Sequence, residues 1–348
     1  MTNTNTVTAT ESAQPILVRQ GYVPVIDISS ARSGSSADRE AVGAAIDEAC
    51  RTSGFFVIVG HGVAPDLVQS MYDVTLDFFH QPEEWKKQWD CEPGDPTIRG
   101  LFRRESSVSA GENVHTAPDL CQLFTVNQLG ESTVAERAEL GDASPVWSRP
   151  NVWPDRPAEF RSTWTTYYGA MSGLALQLMQ LCAMGLRLPE DFFTPLIDVH
   201  ISNLTANWYP PVVTDPALEQ YRKGPHSDWG TLTLLYQDGV GGLEVLGKSG
   251  EWLEVPVIPD SFVVNIGDLM AVWTNDQWVS TKHRVLVPPT GGRTKERVSI
   301  PFFHQPNWST SIECLPSCTS EDNPPKHQAV TSGNYLLGKI QAAFGGRG

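Results

Sequence analysis

A β-rich core of the jelly-roll type, flanked by α-helices towards both ends, is the architecture that this 348-residue sequence predicts. Three observations carry that expectation. Beyond Leu196 the chain breaks into eight short runs, at 203–209, 231–236, 243–246, 252–255, 261–266, 269–274, 283–287 and 297–303, separated by Gly, Pro and Asp turns. Eight such strands fit two sheets laid face to face. Ahead of them, Phe160, Trp164, Tyr167, Met171, Leu174, Leu178 and Leu181 recur at spacings of four and three, the signature of one buried helix face. Helices gather in the N-terminal half and at 333–344, so the class is mixed while the core is all-β.

The elements follow in order. Residues 1–14 are rich in Thr, Asn and Ala without a hydrophobic region, so they read as a disordered tail rather than a signal peptide. Residues 22–28 form an entering strand, and Ser29 to Ala37 a Ser/Gly loop. Asp38 to Ser53 is a helix, with Val42, Ile46 and Ala49 at helical spacing and Arg51 near its end. Phe55 to Val59 is a short apolar strand, closed by the turn Gly60-His61-Gly62. A second helix runs from Pro65, which suits a first helical turn, to Phe79. From Gln81 to Asn127 periodicity is lost, and Arg103 and Arg104 there read as solvated charges. The striped helix over 156–184 is a brace for the sheet, and Gly185 ends it. Nothing resembles a linker, so 15–348 reads as one domain: a helical part 15–200, the jelly-roll core 201–310 and a C-terminal helical part 311–348.

Composition narrows the function. The formal charge of −15, from 25 basic and 40 acidic residues, argues against nucleic acid or an anionic membrane as partner. No long apolar stretch spans a membrane. The six cysteines are scattered without zinc-site spacing, which fits free thiols in a reducing cytoplasm. Nothing demands more than a monomer.

The chemistry concentrates between Gly224 and Phe303. On a strand, His226 and Asp228 would share a face, since side chains alternate with period two. A third ligand must come from elsewhere, and His283, opening another strand, is the best placed. Two histidines and a carboxylate are the facial triad of non-haem ferrous oxygenases. His-x-Asp alone is equally a strand-end histidine satisfied by its neighbour. The ordered series adds weight, because Arg297 and Ser299 follow on an apolar strand where a charge is costly unless paired. The planar guanidinium matches a carboxylate in bidentate fashion. A dicarboxylate spanning metal and Arg297 accounts for both residues; a structural Arg–Glu pair accounts for the arginine alone.

These residues resemble the isopenicillin N synthase-like Fe(II)/2-oxoglutarate-dependent oxygenase family. The resemblance runs from Tyr22 to Asn307, through Pro24-Val25-Ile26-Asp27, Asn207-Trp208-Tyr209-Pro210-Pro211, His226-Ser227-Asp228-Trp229-Gly230, Ser280-Thr281-Lys282-His283-Arg284-Val285 and Arg297-Val298-Ser299. It implies a double-stranded β-helix with the metal between the sheets, Fe(II) held by His226, Asp228 and His283, and O2 and 2-oxoglutarate as co-substrates. It further implies that Arg297 and Ser299, helped by Tyr209 and Asn207, bind the far carboxylate of 2-oxoglutarate. A carboxylate at Asp228 speaks against the halogenases of the family. Arg99, in Arg99-Gly100-Leu101-Phe102, resembles a segment whose arginine reaches substrate, and a surface salt bridge explains it as well. Phe303 is a candidate pocket residue, or core. The implied reaction hydroxylates, desaturates or cyclises a small molecule, in specialised metabolism, with release of succinate and CO2. Isopenicillin N synthase shares the Arg-x-Ser but works without 2-oxoglutarate; its glutamine-bearing tail has no counterpart in Phe344–Gly348. An oxidase of that kind and a catalytically silent ligand-binding protein are the alternatives.

Overall fold

The computed structural model describes residues 17–18, 21–91, 99–103, 118–127, 149–212, 220–288 and 292–344. The expected tail 1–14, Arg104 and residues 345–348 lie outside them. The N-terminal half comprises β1 (Leu17–Val18), β2 (Val25–Asp27), α1 (Ser29–Ser33), α2 (Ser36–Thr52), β3 (Phe55–Val59), α3 (Pro65–Phe79), α4 (Glu83–Lys86), β4 (Gly100–Arg103), β5 (Gln122–Val126), α5 (Phe160–Gly185) and α6 (Thr194–Ile197). Then come β6 (Asn203–Tyr209), β7 (Lys223–His226), β8 (Leu232–Gln237), β9 (Leu243–Leu246), β10 (Trp252–Glu254), β11 (Phe262–Ile266) and α7 (Asp268–Trp273). The chain continues through β12 (His283–Val285), β13 (Arg297–His304), β14 (Ser311–Ile312), β15 (Val330–Thr331) and α8 (Ser332–Phe344).

Two sheets form the jelly roll. The larger has nine strands in the order β1-β2-β3-β11-β8-β13-β6-β5-β4, and the smaller four, β10-β9-β12-β7. The pairings β3–β11 and β5–β6 tie the N-terminal strands to the core. Apolar residues from both sheets, including Phe55, Val57, Leu123, Tyr209, Leu243, Val245, Val263 and Val285, form one buried cluster. A larger cluster joins α2, α3 and α5 to the large sheet, where Trp164, Tyr167, Met171 and Leu178 are fully buried. At about 1.5–3 kcal/mol per buried large apolar side chain, this stripe outweighs any helix propensity. α2 starts where Ser35 and Asp38 close a reciprocal capping box.

Three local expectations are corrected. Residues 269–274 are the helix α7, not a strand: an unbroken apolar run does not reveal its period, and Asp268 supplies a favourable acidic first turn. Part of the expected loop 29–37 is α1, whose start is tied down by Ser29 N–H donating to Asp27 Oδ1 at 2.8 Å. Arg103 is not a solvated charge; it is paired with Asp90 at 2.7 Å and also with Glu83. The strands β4 and β5 were hidden in the aperiodic stretch because four and five residues are too few to establish a period.

His304, at the end of β13, is buried, with Nδ1 2.7 Å from the Thr231 hydroxyl, and its ring lies 5.7 Å from that of His200. Burial pushes His200 down to about 4. Burial, then the proximity of His200, holds His304 well below the usual histidine range. The unfolded chain therefore binds more protons than the folded one below about pH 6.5, and stability falls as pH drops. Each ring costs up to about 1.4 kcal/mol per pH unit in that window. The thermal midpoint of metal-free protein falls between about pH 7 and pH 5; a flat profile contradicts this account.

Candidate metal and co-substrate site

The small sheet delivers the two histidines. His226 ends β7 directly opposite His283, the first residue of β12, and their ring centroids are 4.2 Å apart. Between this pair and Lys223↔Val285 the register shifts, a bulge that re-aims β7 at the cavity mouth. Asp228 lies two residues beyond the end of β7, so shared strand face is not what brings it in. A backbone clasp does: Asp268 N–H donates to the Asp228 carbonyl at 2.8 Å and Leu269 N–H to the Gly230 carbonyl at 3.0 Å. The approach is too close for side chains, since a Cβ at Gly267 would stand 2.2 Å from the Gly230 oxygen. Asp268 is itself anchored, its carboxylate accepting from Ser280 Oγ at 2.7 Å, Tyr335 OH at 3.0 Å and Lys339 Nζ at 3.1 Å.

Asp228 Oδ1 stands 3.9 Å from His226 Nε2 and 3.8 Å from His283 Nε2. One donor atom from each of the three lies within 4.8 Å of the other two. Both rings are held in the tautomer a metal needs. Nδ1–H of His226 donates to the Gly224 carbonyl at 2.8 Å and that of His283 to Thr281 at 3.2 Å, which leaves both Nε2 lone pairs free. On Asp228, Oδ2 accepts from Thr233 Oγ1 at 2.6 Å and Asn265 Nδ2 at 2.7 Å, leaving Oδ1 for the ion. Burial, then mutual proximity and Lys223, holds His226 well below the usual range; burial also lowers His283 against the pull of Asp228. Burial pushes the Asp228 carboxyl up, but His283, His226 and its two hydrogen bonds outweigh it, so it stays below the carboxylate range. Neutral imidazoles and an ionised acid are the protonation states of a divalent-cation site.

The large sheet supplies an anion subsite in the same cavity, which opens to solvent. Arg297 is fully buried, donates from Nε to the Gly241 carbonyl at 2.9 Å, and has no hydrogen-bond partner for Nη1 or Nη2. Register places Tyr209 beside Arg297 and Asn207 beside Ser299 on the neighbouring strand. The Arg297 guanidinium sits 5.1 Å over the Tyr209 ring, while Tyr209 OH and Asn207 Nδ2 each lie 3.5 Å from Ser299 Oγ. Trp208, between them, turns to the opposite face and stacks on Phe79. Two buried, unpartnered N–H groups facing a cavity are what a planar carboxylate would satisfy.

Of the sequence candidates, His226, Asp228, His283, Arg297, Ser299, Tyr209, Asn207 and Phe303 all line this cavity. Arg99 is buried beside β4 and does not. His61 accepts from Val63 N–H and packs on Phe262, a structural role. Thr233, Asn265 and Lys223 also line the cavity and were missed. The available signal was a polar residue at an inward position of an apolar strand, Asn265 in β11 and Thr233 in β8. We expect Thr233→Val to remove one of the two hydrogen bonds that hold Asp228 Oδ2 and to weaken iron affinity by about 10- to 100-fold, read by equilibrium dialysis. Unchanged affinity would show that the hydroxyl does not orient the acid.

A two-histidine, one-carboxylate cluster, with Asp228 and His283 buried and His226 partly so, facing a guanidinium with two open nitrogens is the donor set suited to a ferrous ion and a keto acid. The chain belongs to the 2OG-Fe(II) oxygenase superfamily, whose family model matches residues 200–306, and residues 23–156 match the N-terminal model of non-haem dioxygenases, described from morphine synthesis. It is 32% identical over 337 residues to the 2-oxoglutarate-Fe(II) type oxidoreductase ppzC of Metarhizium majus, covering 92% of this chain and 87% of that one. Validamycin A dioxygenase of Streptomyces hygroscopicus subsp. limoneus is 34% identical over 287 residues, 81% and 76% of the two chains. A full-length Neurospora crassa protein crystallised with alpha-KG and thymine superposes with a TM-score of 0.81 at 26% identity, covering 94% of this chain and 99% of its own. JOX2, crystallised with 2OG, Fe and JA, gives 0.74 at 27% identity, covering 96% and 91%. The protein is thus a 2-oxoglutarate-dependent non-haem iron dioxygenase acting on a small molecule, and Fe(II) and 2-oxoglutarate are its cofactor and co-substrate.

Proposed function

We propose that His226, Asp228 and His283 hold the ferrous ion and that Arg297, Ser299, Tyr209 and Asn207 hold the far carboxylate of 2-oxoglutarate, while Phe303 borders the substrate. The observation that carries this reading is the pair of open Arg297 nitrogens in the cavity that holds the triad. When bound, iron and 2-oxoglutarate supply oxidative decarboxylation and the power to break an unactivated C–H bond. The chain's own residues do the rest. Thr233 and Asn265 keep Asp228 ionised and aimed. The Gly224 and Thr281 carbonyls keep the two imidazoles from rotating. Leu235, Leu243 and Val285 line the wall with apolar surface and limit water there.

The names of relatives support a role in specialised metabolism, and the six free thiols support work in a reducing cytoplasm, where the chain would act as a monomer. No helix among the described residues is long and apolar enough to cross a membrane. Anaerobically loaded protein given candidate small molecules, O2 and 2-oxoglutarate should release succinate in step with product. Turnover with O2 but no keto acid would select an oxidase of the isopenicillin N synthase type. Ligand binding without product, unaffected by His226→Ala, would select a silent binding protein.

A further inference from the structure

Arg222 stands just ahead of β7, has no part in the reading above, and is fully buried. Its Nη2 donates to the Lys295 carbonyl, two residues before Arg297, while Nε and Nη1 have no hydrogen-bond partner. Arg222 and Arg297 feel one another's charge, and both feel Asp238. Asp238 hydrogen-bonds none of the free guanidinium nitrogens of either arginine. Its oxygens already accept the backbone N–H groups of Val240 at 3.1 Å and Val298 at 2.6 Å. The Tyr209 phenol, pushed up to about 12 mainly by burial, contributes no negative charge at neutral pH. Among the described residues, Asp238 is the acid that acts on both guanidiniums, while the buried Asp119 accepts from Gly224 N–H at 3.0 Å and acts on Tyr209. What is left over is hydrogen-bonding capacity: Nε and Nη1 of Arg222 and both Nη of Arg297 are buried without a partner, which is costly until an anion arrives.

We propose that Arg222 is the second cation of the co-substrate's anion subsite, a positioning residue that acts through Arg297 and sets the preference for a 2-oxo dicarboxylate over a 2-oxo monocarboxylate. The proposal rests on the reading of Arg297 as the anchor for the far carboxylate. Arg222 does not line the cavity, so its effect is one of field rather than contact. It strengthens the potential at the point where the far carboxylate meets Nη1 and Nη2 of Arg297. A ligand without that carboxylate keeps only the charge of its keto acid end, farther from Arg222, and gains little from it. In a partly shielded interior, one unit charge several ångströms away is worth roughly a 10- to 30-fold change in affinity for an anion.

The test is calorimetric titration of the full chain, loaded anaerobically with Mn(II), using 2-oxoglutarate and 2-oxopentanoate, which has the same chain length without the far carboxylate. Arg222→Gln should bind 2-oxoglutarate about 10- to 30-fold more weakly and 2-oxopentanoate as wild type does. Arg222→Lys, which keeps the charge and loses the fork, should recover most of the difference, and it serves if the Gln variant does not fold. In turnover the loss should fall on the KM for 2-oxoglutarate and spare kcat. Equal losses for both acids, or failure of Lys to rescue, would show a merely structural arginine and overturn the proposal. A wild-type protein that does not distinguish the two acids would instead remove the reading of Arg297 on which it rests.

Discussion

Asp228→Ala strips the site of iron and lowers turnover by more than about 10²-fold, since loss of a partner to a metal ligand already costs 10- to 100-fold. Asp228 is the sole anionic donor of the cluster, and it sits buried between two imidazoles that burial keeps neutral. Removing it takes away the negative charge that balances a divalent cation and leaves the Thr233 hydroxyl and the Asn265 amide pointing at a hole. The measurement is iron retained per chain after anaerobic dialysis, alongside succinate formation. A variant that keeps a full complement of iron and near-normal turnover would place the metal elsewhere.

Arg297→Met acts at the other end of the cavity and on a different quantity. Truncating one member of a buried, hydrogen-bonded charge pair costs about 2–5 kcal/mol, so the KM for 2-oxoglutarate should rise by roughly 10² to 10³-fold. Iron content should stay at the wild-type level, because Arg297 touches none of the metal residues. Methionine keeps the volume and the apolar contact with Tyr209, so the guanidinium charge and fork are what is tested. A KM that moves less than threefold would mean that the far carboxylate binds somewhere else.

The legible part of this site was the part written as chemistry at fixed spacing. His226-x-Asp228, the later His283 and Arg297-x-Ser299 are residue types that an apolar setting does not tolerate without a reason, and the structure brings all five to one cavity. The eight-strand reading survived in seven places and failed at 269–274, where six residues of nearly unbroken hydrophobicity hide whether the period is two or 3.6. Convergence of Asp228 was foreseen for the wrong reason. Strand alternation was expected to aim it, whereas the clasp from Asp268 and the close contact of Gly267 with Gly230 do so, and long-range contacts of that kind leave no local pattern. Thr233 and Asn265 were invisible for a related cause: each matters through its hydrogen bond to Asp228, across a turn in one case and from strand β11 in the other, and single residues have no period.

The carboxylate of Asp268 joins two regions that the sequence keeps apart. Its main chain holds the Asp228 loop, while its side chain grips Tyr335 and Lys339 of α8. Every metal ligand precedes that helix, so a growing polypeptide has its donors in hand before their brace arrives. The Asp228 loop is thus held in part from the C-terminal helix, about a hundred residues downstream, and not by its own strand alone.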